Sequence, residues 1–179
     1  MTADFHIPLA AEQQAVAIEL QSALVDLLDL ALIGKHLHWN AEGRHFRPLH
    51  HELDEQVAAW RRLSDDVAER AVTIGASADG QAETIAGATQ LEPLPTGHLT
   101  DQQVLKAIGD RVRAVALRTR QRIDRVAVTD PVTCDLFVQV LATLEKQLWM
   151  IRAQTADPGR AGTVTLGIPP EAANGDGGS

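Results

Sequence analysis

The chain has 179 residues, 45% of them hydrophobic, 22% charged and 3% aromatic, with one Cys and no Tyr. That length suits one domain with a real core. A formal net charge of −8 argues against a dominant phosphate-binding surface, which would draw on Lys and Arg, and a single thiol, Cys134, excludes an intrachain disulfide.

The opening stretch MTADFHIPLAAEQQ has no basic and no apolar signal region, and no apolar run is long enough for a bilayer. The expectation is a cytoplasmic protein with no membrane contact. A first helix is predicted from about Ala10 to Lys35, with Val16, Leu20, Ala23, Leu24, Leu27, Leu28 and Ala31 at helical spacing. A turn follows at Asn40 to Gly43. A second helix starts near Pro48, where the missing N–H costs nothing, and ends near Gly75, which suits a C-terminal cap.

Residues Ala76 to Gly97 are rich in Gly, Pro and Thr and read as a long connection holding a short helix at Ala82–Thr89. Such a connection lets the second and third long helices run parallel. The third helix is predicted over Asp101–Val126, with Thr100 and Gln103 as a capping box. The fourth runs over Pro131–Ala156, with Asp130 as N-cap. From Asp157 onward three prolines and several glycines predict a mobile tail. The reading is therefore all-α: a four-helix bundle over residues 1–156 and a tail over 157–179.

The chemistry concentrates between His36 and Glu69. On the second helix His50 and Asp54 are four residues apart, as are Asp65 and Glu69, so each pair shares a face. Asp54 and Asp65 lie eleven residues apart, close to three turns, so both pairs share one stripe. On a helix half buried in a bundle, unpaired carboxylates would be costly, and a metal would satisfy them. Imidazole with carboxylate suits iron, zinc or manganese.

The two pairs stand roughly 16 Å apart along the axis, too far for one centre. They are placed symmetrically about a point between Ala59 and Trp60. Two copies crossing antiparallel there would set each His50/Asp54 against the other's Asp65/Glu69, giving two shared sites in an isologous dimer. His38, at the end of the first helix in KHLHWN, can reach toward His50. His6, His36, His45, His51 and His98 take structural readings, and Cys134 reads as a small buried hydrophobe.

The run KHLHWN, with EGRHFRPLHHELD after one further residue, and then DDVAER, resembles the Dps family (DNA-binding proteins from starved cells), a miniferritin group. The pattern is H-W-N, a His twelve residues on, an Asp four later, then D-x-x-x-E-R. Here these fall on His38, His50, Asp54, Asp65 and Glu69. The resemblance implies a ferritin-like four-helix bundle assembled from twofold dimers into a hollow dodecamer. It implies oxidation of ferrous iron, with hydrogen peroxide as oxidant, and storage of the ferric product.

It also implies that His38, His50 and Asp54 come from one subunit, and Asp65 and Glu69 from its twofold mate. Asp54 and Glu69 would be the main iron ligands, with Asp65 holding a ligand or a water. Trp39, beside the site, is read as a packing residue in preference to a sacrificial electron donor. Asp130 is read as an N-cap in preference to a pore acid. Members that bind DNA directly carry basic tails. Here the N-terminal segment to Gln14 has no Lys or Arg, and Arg160 is the only basic residue after Asp157. Direct DNA binding is therefore not expected, which leaves a DNA-compacting structural role as the second reading.

Overall fold

The computed structural model describes residues 10–155. Four long helices form the bundle: α1 (Ala11–Asn40), α2 (Phe46–Thr73), α4 (Asp101–Val126) and α5 (Pro131–Thr155). A short α3 (Ala82–Ala88) lies in the long connection. Two-residue strands β1 (Ala41–Glu42) and β2 (Leu99–Thr100) pair in parallel, Ala41 opposite Leu99. The all-α bundle with its long connection is thus as the sequence predicts. Among the described residues no helix is long and apolar enough to cross a membrane. The expected tail from Asp157 and the helix end at Ala156 lie outside the described residues.

α1 packs along α2, and α4 along α5; α1 also touches α4, and α2 touches α5. The core holds Leu20, Leu27, Leu30, Leu53, Trp60, Val104, Ile108, Phe137 and Leu144. These recur at three- and four-residue spacing, so each helix turns one apolar stripe inward. The Trp60 indole N–H donates to Gln147 Oε1 at 2.9 Å, joining α2 to α5 inside the core.

Two boundaries differ from the sequence reading. α1 runs on past Lys35 through Asn40, because Leu37 extends the buried stripe and no Gly or Pro interrupts it after Gly34. His38 is therefore held in the last helical turn. α2 begins at Phe46, so Pro48 sits third, still within the first turn where its missing N–H has no intrahelical role.

Gly34 sets the approach of α1 to α2. A Cβ there would lie 2.6 Å from Val57 Cγ2 and 2.8 Å from the Trp60 ring. The connection is held by polar contacts. Gln21 and the Asp79 backbone exchange hydrogen bonds at 2.7 and 2.9 Å. The Arg111 guanidinium donates to the Glu92 and Pro93 carbonyls at 2.6–3.0 Å. A buried ion cluster ties α1 to α4: Arg118 grips both oxygens of Asp26 at 3.0 and 2.6 Å, and Arg122 donates to Asp26 Oδ2 at 2.6 Å.

Candidate metal centre

His38 lies in the last turn of α1, and one helical turn after Gly34 it inherits the close approach to α2. It meets His50, in the second turn of α2. The two rings stack with centroids 3.5 Å apart and planes 20° from parallel. His38 Nδ1 bonds to the His50 carbonyl at 2.9 Å, and His50 Nδ1 bonds to the His38 carbonyl at 3.0 Å. A carbonyl only accepts, so each Nδ1 carries its proton. That leaves Nε2 as the ring nitrogen turned to a metal, the arrangement in which metal-binding imidazoles are oriented by the opposite ring nitrogen.

Asp54, one turn beyond His50 on α2, completes the group: one ligand atom from each of His38, His50 and Asp54 lies within 4.8 Å of the others. His38 Nδ1 is 3.4 Å from Asp54 Oδ1. The same oxygen accepts from the Lys35 ammonium at 2.7 Å. That hydrogen bond is the main reason the Asp54 carboxyl is held below the usual carboxylate range, with the nearby His38 and His50 acting in the same direction. Partial desolvation opposes them. Sequence reasoning missed Lys35. The available signal was its place three residues before His38, which puts both on one face of α1.

Asp65 and Glu69 lie further along α2, outside this group. Both are exposed, on a stripe that also carries Asp54, Ala58, Arg61 and Arg62. Among the described residues neither carboxylate has a hydrogen-bond or ion-pair partner. The premise that this stripe is buried in the bundle is corrected. The apolar face of α2 turns inward through Leu53, Val57, Trp60 and Val67, leaving the acidic stripe on the surface of the single chain. Around the proposed crossing point Trp60 is fully buried, whereas Ala58 and Arg61 are exposed.

The remaining residues sort clearly. Asp130 caps α5, accepting from the Val132 and Thr133 N–H groups at 3.1 Å. It is also gripped by Arg70 at 2.8 and 3.0 Å. Trp39 is 68% exposed, with the Lys35 ammonium 5.6 Å from its ring, so among the described residues the expected packing role is not met. His45 bonds Asp101 through both its backbone N–H and its ring. His51 and His98 are exposed, and Cys134 is half-buried against the core. His6 lies outside the described residues.

The ferritin-like domain family matches residues 18–160. The "DNA protection during starvation protein 2" of Deinococcus radiodurans is 38% identical over 134 residues, which cover 75% of this chain but 56% of that protein. The chain thus spans little more than half of that relative's length. The Dps of Mycobacterium smegmatis superposes with a TM-score of 0.82 at 34% identity, over 89% of this chain and 97% of that one. The Dps of Microbacterium arborescens, solved in a high iron form, gives 0.78 at 28% identity, over 88% and 99%.

Proposed function

The chain belongs to the Dps family of ferritin-like proteins, and from that premise we propose that it is a ferroxidase and iron store working at centres shared between two copies. The observation that carries this reading is the group of His38, His50 and Asp54, with ligand atoms within 4.8 Å of one another. Two carboxylates without a partner among the described residues, Asp65 and Glu69, stand on the same helix face. One copy supplies the imidazoles and Asp54; the other supplies Asp65 and Glu69. Ferrous iron is the substrate, bound by two Nε2 lone pairs and by carboxylates, a donor set suited to it. The copies assemble through twofold dimers into a dodecameric shell that keeps the product.

Hydrogen peroxide takes two electrons, so two ferrous ions and two protons are consumed per peroxide, giving two ferric ions and two waters. Ferric ions then leave the centre, hydrolyse and deposit inside the shell. The residues hold and orient the ion, and the Nδ1–carbonyl bonds keep both imidazoles in the binding tautomer throughout. The Deinococcus radiodurans relative is named for DNA protection. In this chain protection would follow from removing ferrous iron and peroxide together. Phosphate contacts are disfavoured by the net charge of −8.

The test is peroxide-driven oxidation of ferrous iron, followed optically, for wild type beside a His50→Ala/Glu69→Ala variant of the same assembly size. A fast wild type and a slow variant support the shared centre. Equal rates, both matching protein-free iron, would assign these residues a structural role.

A further inference from the structure

We propose that the groove between α4 and α5 is the seat of this chain's own C-terminal segment, residues 164–168. The groove has a volume of about 420 Å³ and lies far from the metal group, on the other helix pair of the bundle. Its floor is apolar: Leu105 and Ile151 are buried there, and Leu148 is half-buried. Gly109, in the middle, adds no side chain and leaves the groove its depth. The rim carries Lys106, Arg113 and Arg152 against a single acid, Asp110.

The chain itself leads into this groove. Thr155, the last described residue, lines it, and 24 residues follow. Pro158 and Gly159 come almost at once, a pair that ends a helix and favours a reversal of direction. Val164 lies nine residues beyond Thr155. Nine residues can span about 30 Å, whereas the return along α5 from Thr155 to Leu148 is roughly 10 Å.

The sequence of that segment fits what it would cover. In VTLGI the apolar Val164, Leu166 and Ile168 alternate with Thr165 and Gly167. An extended chain with that period turns three apolar side chains to one face. From residue 164 to residue 168 it would measure about 13 Å, and the floor from Leu105 to Arg113 is about 12 Å of helix. Charge agrees as well. The residues after Thr155 carry Asp157, Glu171 and Asp176 against Arg160 alone, so an acidic segment meets a basic rim around an apolar centre. Seated there, it would also remove an apolar strip from the surface.

The test uses the assembled full chain with Cys134→Ser as background. Asp110→Cys places a thiol in the groove and removes only its acidic group. Iodoacetamide should modify that thiol at least about tenfold more slowly than in the same protein carrying Leu166→Asp and Ile168→Asp, the factor for a groove open at most about one-tenth of the time. Adding Thr165→Cys to Asp110→Cys and treating with a short bismaleimide should join the two thiols within one chain, found by mass spectrometry in the monomer band of a denaturing gel. Equal alkylation rates, or no linked pair in the monomer band, would overturn the proposal. A link confined to the dimer band would do so by giving the groove to a neighbouring copy.

Discussion

Gly34→Ala tests whether the approach of α1 to α2 is what builds the His38/His50/Asp54 group. The added Cβ would stand 2.6 Å from Val57 Cγ2 and 2.8 Å from the Trp60 ring. Ordinary carbon contacts lie near 3.5–4.0 Å, so the helices must part by about 1 Å or Trp60 must move. Trp60 is fully buried and tied to Gln147, so moving it breaks a core hydrogen bond. Overpacking of this kind costs about 1–3 kcal/mol, the lost bond about 1 kcal/mol, and the helix gains about 1 kcal/mol from Gly to Ala.

The net expectation is a loss of about 1–3 kcal/mol. Co(II) binding should weaken as well, because His38 follows Gly34 by one turn and its stacking on His50 at 3.5 Å requires that approach. Urea unfolding and Co(II) titration at fixed protein concentration read the two effects. A Val57→Ala background removes the nearer contact and should recover part of the loss, a coupling between neighbours. A Gly34→Ala protein with wild-type stability and wild-type Co(II) affinity would refute the reasoning.

Two further outcomes concern the scaffold. Asp26→Ala leaves Arg118 and Arg122 facing each other without their carboxylate, and should cost about 3–5 kcal/mol in urea unfolding, because the pair is buried; a change below about 1 kcal/mol would show the cluster to be idle. Burial alone would raise the Asp130 carboxyl, but the Thr133 hydroxyl and Arg70 outweigh it and hold it low. Its stabilisation is therefore present above the unfolded value of about 3.9 and is lost as pH falls through the depressed folded value. Arg70→Gln should destabilise by about 1.5–3 kcal/mol at pH 7, and the gap to wild type should narrow below about pH 4. Thermal unfolding at both pH values checks this, and a gap of constant size would remove the carboxylate from the account.

The helices were legible because their signals are local. Apolar residues at three- and four-residue spacing mark α1, the Asp130 cap marks the start of α5, and Gly75, at φ 94°, marks the end of α2. The spacing of His50 and Asp54, and of Asp65 and Glu69, was equally local. What was hidden depends on contacts between distant segments. Nothing near Gly34 tells that Val57 and Trp60 press against it. The pairing of Ala41 with Leu99 crosses the whole long connection. The ion pair of Lys35 with Asp54 joins two helices, and a lysine in an amphipathic helix reads equally well as a solvated side chain. The periodicity of α2 marks a stripe, but only packing tells that the stripe faces out of the bundle.

That outward face bears on why the centre would be split. A single chain gathers three candidate ligands, and its two carboxylates beyond them stand roughly 16 Å farther along a rigid helix, where no side-chain motion can bring them in. A bundle that buried all five would need to desolvate three carboxylates in every folding chain, before any metal arrived. Leaving Asp54, Asp65 and Glu69 on the surface avoids that cost in the monomer and, with the proposed shared centre, would move it to the step at which two copies meet. Like charges would then approach across the proposed interface, where Lys35 offsets one of them on each side. On this reading the divalent ion is both substrate and counter-charge, and binding favours the paired state by its differential affinity for it. Oxidation would follow only where two copies have joined, which confines the chemistry to the shell that receives the product.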